Sequence, residues 1–221
     1  ESNLPLDTSQ IISFADKDYA LGSKLKYRGT SGGAIYSPFM LVSNDSGFTW
    51  EDNDFSGLPA NFIFNSLVYN DSLVSWGMEN LGDIITLFFS QDSHSWDKIE
   101  MPLRAENYYT NMFVFKEDLF LKYKNKIYRY TGDGWGKISD QAEVLVFEEL
   151  FPLDKYCYLV GLGGEGEEIA GKNIEIFRSQ DLIDWEKADN GIPMLWGTAG
   201  DFVKGMFPFE GSIIFIGNSS T

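Results

Sequence analysis

The sequence predicts an all-β chain: a propeller of four-stranded antiparallel blades, about five in number, the last one incomplete. Three observations predict it. First, a Ser/Thr–Asp–Trp turn recurs four times, with its Trp at positions 50, 96, 135 and 185, so the steps are 46, 39 and 50 residues. Steps of that size in a strand-rich chain match the repeat of a propeller blade. Second, short apolar runs joined by a polar turn recur between those copies, as in Leu67-Val68-Tyr69 and Leu73-Val74-Ser75-Trp76. Third, no stretch carries a helical period of useful length; the one ambiguous run, 144–150, fits a strand of the repeat.

Taken in order, residues 1–221 read as one propeller domain. Blade one is expected over 9–54, with Ile11 to Phe14 and Tyr19 to Leu21 as its inner hairpin around Asp16-Lys17-Asp18. Blade two covers 61–101 and turns at Asn70-Asp71. Blade three, 109–139, is compact and pairs Met112 to Phe115 with Leu119 to Leu121. Blade four, 145–190, pairs Leu150-Phe151 with Tyr156 to Val160. A partial fifth blade covers 195–221 and holds the hairpin of Met206 to Phe209 with Ile213 to Ile216. A further outer strand pair is expected beyond Thr221. The chain therefore reads as a mature product or an ordered fragment, closed either by further blades or by the segment 1–7.

The repeated turns carry structural chemistry. Asp bonds nearby backbone N–H groups and tolerates turn conformations, and Ser or Thr does so more weakly. Gly47 supplies a residue free to take positive φ. The Trp that follows is expected to bury a large area against the next blade. The first copy, Ser43-Asn44-Asp45-Ser46-Gly47-Phe48-Thr49-Trp50, resembles the Asp-box (BNR) repeat of sialidase-like β-propellers, Ser/Thr-x-Asp-x-Gly-x-Thr-Trp, at every fixed position. The copies Ser90-Gln91-Asp92-Ser93-His94-Ser95-Trp96 and Ser179-Gln180-Asp181-Leu182-Ile183-Asp184-Trp185 are one residue shorter and lack the Gly. Thr131 to Trp135 keeps Asp133, Gly134 and Trp135. The resemblance implies that these boxes join the two outer strands of a blade, on the face away from any active site.

Composition narrows the function. A hydrophobic content of 43% describes a globular chain, and no apolar run approaches the length that spans a bilayer. A net charge of −16 opposes nucleic acid and anionic membrane surfaces; it reads as a device for solubility, with a basic protein partner as the sharper alternative. Cys157 sits alone in an apolar run and reads as a buried, inert thiol; His94 reads as a turn residue. Glu51, Asp52, Asn53 and Asp54 offer oxygen ligands for calcium but lack a 12-residue loop signature, so no cofactor is expected. The Gly-rich stretch 161–166 leads into no helix pattern and is not a dinucleotide fingerprint. Sequons at Asn70-Asp71-Ser72 and Asn218-Ser219-Ser220, with the family resemblance, suggest a secreted or extracytoplasmic protein.

Binding residues are expected on the loops of one face. The stretch 22–33 reads as such a loop and concentrates Lys24, Tyr27 and Arg28 in an acidic chain. Tyr108, Tyr109 and Trp196 add rings suited to stacking on a sugar. The resemblance also raises sialidase chemistry, which uses three arginines, a Tyr–Glu nucleophile pair and an acidic acid/base. Of Arg28, Arg104, Arg129 and Arg178, the last two precede boxes on outer strands, and the family's Arg-Ile-Pro motif is missing. The reading is therefore a non-catalytic binding or assembly module for a protein or carbohydrate ligand. A sialidase-like glycoside hydrolase, or a fragment of one, is the alternative.

Overall fold

In the computed structural model, residues 8–28, 34–54, 57–58, 60, 62–78, 84–104, 110–123, 126–140, 146–162, 174–188, 203–209 and 212–217 are described. All the regular structure among them is strand. The first sheet is β1 (Thr8–Phe14), β2 (Lys17–Arg28), β3 (Ala34–Ser43) and β4 (Glu51–Asp52). The second is β5 (Phe62–Tyr69), β6 (Ser72–Met78), β7 (Ile84–Ser90) and β8 (Asp97–Arg104). The third is β9 (Thr110–Phe115), β10 (Asp118–Tyr123), β11 (Lys126–Tyr130) and β12 (Trp135–Asp140). The fourth is β13 (Val146–Leu153), β14 (Tyr156–Leu162), β15 (Ile174–Ser179) and β16 (Glu186–Lys187). A two-stranded sheet pairs β17 (Val203–Phe209) with β18 (Ser212–Gly217). In each four-stranded sheet the strands lie in chain order, the meander of a propeller blade. The chain divides into two compact units, 1–112 and 113–221, and the division falls inside β9.

The inner hairpins close on two residues. Ala15-Asp16, Asn70-Asp71 and Lys116-Glu117 each hold two successive positive φ values, between 46° and 68°. Positive φ at both central positions is the turn whose twist matches paired strands. The turn expected at Asp16-Lys17-Asp18 is thus shifted, because Lys17 and Asp18 already pair with Phe14 and Ser13. A second correction concerns 22–33. Gly22 to Arg28 is not loop: β2 runs to Arg28 and pairs with β3, Leu25 opposite Tyr36 and Arg28 opposite Ala34. The run 144–150 is resolved as strand from Val146.

Cores form where sheets face one another within each unit. In the first unit, Phe14, Tyr19, Leu21 and Met40 of the first sheet meet Leu73 of the second, with Trp96 packed against them. In the second unit, Phe113, Phe115, Phe120 and Ile127 meet Leu150, Cys157, Leu159 and Phe177, with Trp185 packed alongside. Burial without a charged neighbour raises the Cys157 thiol to about 12, which makes it the inert group expected. The four repeat Trp residues are not equivalent. Trp50 is 7% exposed and packs with Ala20 and Leu41 of its own sheet, whereas Trp96, Trp135 and Trp185 are half-buried.

Candidate functional site

The Ser–Asp turns absorb their own polar groups. Ser43 Oγ accepts from the N–H groups of Asp45 and Gly47 (3.3 and 2.8 Å) and donates to Asp45 Oδ1 (2.8 Å). Asp45 in turn accepts from Thr49 N (2.8 Å) and Thr49 Oγ1 (2.6 Å). Asp92 accepts from His94 N, Ser95 N and Ser95 Oγ, and also from Ser90 Oγ. Asp181 accepts from Ile183 N and Asp184 N, both at 2.9 Å, and from Ser179 Oγ. These bonds favour the ionised form. The Thr49 hydroxyl and N–H hold Asp45 below the ordinary 3.8. Ser95 N–H and then His94 N–H do so for Asp92, and Asp184 and Ile183 N–H for Asp181.

The departures among the copies have physical causes. In the eight-residue copy, Gly47 takes φ 85° and its carbonyl accepts Trp50 Nε1 at 3.0 Å. The residue three after the Ser has positive φ in all three Ser–Asp copies, 57° at Ser46 and 65° at the buried Ser93 and Leu182; the shorter copies lack only the glycine that follows, and among the described residues the Nε1 groups of Trp96 and Trp185 have no partner. In the third copy Thr131 Oγ1 donates to Asp133 Oδ1 (3.0 Å), but the turn is closed by Thr131 N–H donating to Gly134 O (2.9 Å). Asp133, Trp135 and their neighbours thus keep the turn without the carboxylate's backbone bonds. A surface hollow of about 340 Å³ lies between residues 13–18 and Ser43, Asn44 and Ser46, where the first hairpin turn meets the first Ser–Asp turn.

The expected ligand-binding residues fall largely outside what the structure describes. Lys24, Tyr27 and Arg28 lie on β2, described by backbone alone, and Tyr108, Tyr109 and Trp196 lie outside the described residues. The two placed arginines serve strand pairs: Arg129 bonds Asp118 at 2.8 Å, and Arg178 bonds Glu186 at 2.6 Å with its guanidinium 4.7 Å from the Tyr156 ring. His94 Nδ1 lies 2.7 Å from Asp54 O. Among the described residues no three metal-ligating side chains gather, and the 51–54 run is used by Asn53, which donates to Ser93 O at 3.3 Å.

A feature not read from the sequence lies in the inner hairpins. A register shift falls in the innermost strand between Thr8 and Gln10, Ile63 and Asn65, Val146 and Glu149, and Val203 and Gly205. Each is a one-residue bulge, a device that bends a strand and re-aims the side chain beside it. At each bulge the second strand has a glycine: Gly22, Gly77, Gly161 and Gly217. The signal was present as a repeat, Leu21-Gly22, Trp76-Gly77, Val160-Gly161 and Ile216-Gly217, always at one distance from the turn. The third hairpin departs from it with Lys122-Tyr123; Lys122 is only 4% exposed and is engaged by a partner. The residue after each bulge is Gln10, Asn65, Glu149 or Gly205, three of them polar, on the first strand of its sheet.

Gln10 shows what that position can do. Its Nε2 donates to Ser66 O at 2.7 Å and its Oε1 accepts from Ser66 N at 2.9 Å, so one carboxamide clamps the β5 backbone. Behind it the buried hydroxyls of Ser66 and Ser75 bond each other at 2.7 Å.

This architecture, blades of four antiparallel strands lying in chain order, defines a class, the β-propellers. The particular likenesses are to solved structures. No family model and no curated protein matches the sequence. A GH43 β-1,3-galactosidase superposes with a TM-score of 0.55 at 13% identity, over 96% of this chain and 53% of its own. The β-propeller domain of the Trilobed protease from Pyrococcus furiosus gives 0.53 at 10% identity, over 96% of this chain and 78% of that one. The exo-β-1,3-galactanase of Phanerochaete chrysosporium, solved with galactose, gives 0.53 at 14%, over 94% and 55%. The chain thus spans about half the length of the galactosidase and galactanase. The fold is a β-propeller fold, with about four blades and a partial one.

Proposed function

We propose that the chain is a propeller module that binds a neutral oligosaccharide, of the β-1,3-galactan type, without cleaving it. The observation that carries this reading is that the three Ser–Asp carboxylates and both placed arginines are engaged within the fold. Asp45, Asp92 and Asp181 are spent on turns, and Arg129 and Arg178 on Asp118 and Glu186. Among the inner hairpins Asn65 offers an exposed carboxamide, a group that binds hydroxyls. A net charge of −16 disfavours an anionic glycan. The bonding of the Ser–Asp turns supports kinship with Asp-box propellers, and the galactan chemistry follows the names of two structural neighbours.

The second reading is a glycoside hydrolase. The same neighbours favour it, and Glu149 stands on β13 at the register position of Gln10 and Asn65. Hydrolysis of a glycosidic bond uses a pair of such carboxyl groups. The test is to mix the protein with β-1,3-galactotriose, measure binding, and analyse the saccharide after prolonged incubation. Saturable binding with the trisaccharide recovered whole supports the first reading. Released galactose supports the second, and no binding overturns both.

A further inference from the structure

Three of the four repeat turns lock their carboxylate, and the third copy does not. Asp45, Asp92 and Asp181 each accept backbone N–H bonds from residues two to four positions further on. In the fourth sheet the nitrogen that follows the aspartate is engaged as well, since Leu182 N–H donates to Ser179 Oγ at 2.9 Å. Asp133 is exposed and accepts only from the Thr131 hydroxyl (3.0 Å), which it shares with Gly134 O (3.1 Å). Among the described residues the N–H of Gly134 donates to nothing; the turn is closed through its carbonyl, by Thr131 N–H at 2.9 Å. The surroundings are open: a Cβ built on Gly132 or on Gly134 would meet no atom within 4 Å. Asp133-Gly134 is also the only Asp–Gly step in the chain, and glycine, with no Cβ, leaves its own nitrogen uncovered.

We propose that Asp133-Gly134 is a modification site, where the folded chain rearranges to an isoaspartyl linkage. The Gly134 amide nitrogen attacks Asp133 Cγ and closes a five-membered succinimide ring. One water leaves, its hydroxyl from the carboxyl group and its proton from the nitrogen. Water then opens the ring at either carbonyl. Cleavage of the new N–Cγ bond restores aspartate; cleavage of the original peptide bond leaves the main chain running through Cβ and Cγ. No oxidant, reductant or second reactant enters, and the product has the mass of the parent. The step needs a carboxyl free to swing and a nitrogen free of hydrogen bonds, and Asp133-Gly134 has both. The bonds that hold Asp45, Asp92 and Asp181 also keep them ionised, and a carboxylate resists attack by a nucleophile. The isomer lengthens the main chain by one carbon. Thr131 N–H then cannot close on Gly134 O in the same ring, and the Tyr130 and Trp135 rings, 5.4 Å apart where β11 and β12 begin to pair, lose their register. The outer edge of the third sheet therefore loosens with age while the other turns keep their form. This inference is independent of saccharide binding.

The test holds the full chain at neutral pH and physiological temperature for several weeks and maps its peptides by electron-based fragmentation, which separates isoaspartate from aspartate. Methylation by an isoaspartyl-specific methyltransferase counts the same product independently. A guanidinium-unfolded sample, incubated alongside, gives the rate of each step without the fold. Asn190-Gly191, outside the described residues, closes such a ring with loss of ammonia, and its change in mass keeps it apart. The variant Gly134→Ala puts its Cβ into open space, so the melting temperature of the fresh protein should match the parent's, but it covers the attacking nitrogen. The expected result is isoaspartate at 133 in the folded protein, with positions 45 and 92 converting only in the unfolded sample. In Gly134→Ala the accumulation should be about tenfold slower. No isoaspartate at 133 in the folded protein, where the unfolded sample converts, overturns the proposal. Equal conversion at 45 and 92 in the folded protein overturns the protection by turn bonds. An unchanged rate in Gly134→Ala overturns attack by the Gly134 nitrogen.

Discussion

Asp92 accepts N–H bonds from His94 and Ser95, as Asp181 does from Ile183 and Asp184. Each carboxylate is held in its charged form by the turn it closes, so folding and ionisation are linked. The sign follows from the direction of the shift. The folded carboxyls titrate below the ordinary 3.8, so their stabilisation is present above that pH and is lost as the pH falls through the folded values. Asp92→Asn should therefore lower the melting temperature at pH 7, and the gap from the parent should narrow as the pH drops below about 4. Thermal melts across pH 2–7 check this, and a gap that stays constant to pH 2 would contradict it. Trp50 is the other residue with a defined consequence. It is buried and its Nε1 is bonded, so Trp50→Ala should cost about 3–5 kcal/mol in denaturant unfolding. A cost below about 1 kcal/mol would mean the ring contributes little to its core.

Between elements, the segment that leaves β4 is docked on the turn between β7 and β8. Asn53 donates to Ser93 O, His94 Nδ1 meets Asp54 O, and a Cβ built on Gly57 would lie 2.5 Å from His94 O. Backbone faces backbone there, so Gly57→Ala must displace one of the two segments, at a cost of about 1–3 kcal/mol. Urea unfolding of that variant measures the cost, and wild-type stability would show that the docking is loose. What could be read from the sequence divides along the same line. The Ser–Asp turns were legible because their bonds span two to four residues, and so was each hairpin. The strand character of 22–28 was not, although Lys24-Leu25-Lys26-Tyr27 alternates polar and apolar, because Gly22 and Gly29 suggested loop ends. Gly22 instead marks the bulge of β1. The bulges were marked only by a glycine at a fixed distance from each hairpin turn, which reads as ordinary turn punctuation until the strands are paired, so Asn65 was not singled out.

At the scale of the whole molecule, the repeat gives each blade the same turns and hairpins, and function lies where the copies differ. Gln10 became a clamp and Asn65 stayed exposed; Lys122 replaced an apolar residue in the third hairpin. Three of the placed carboxylates close turns, and on the proposed reading it is uncharged donors that meet the ligand. Binding of a neutral saccharide should accordingly change little between low and high salt, since no ion pair contributes to it. A steep salt dependence in the titration would point instead to a charged partner. The most direct measurement is an experimental structure of the protein with β-1,3-galactotriose. The account predicts an intact saccharide with a hydroxyl or ring oxygen within hydrogen-bond distance of Asn65 Nδ2. A saccharide seated instead in the hollow beside Ser43 and Asn44, or a cleaved product beside Glu149, would contradict it.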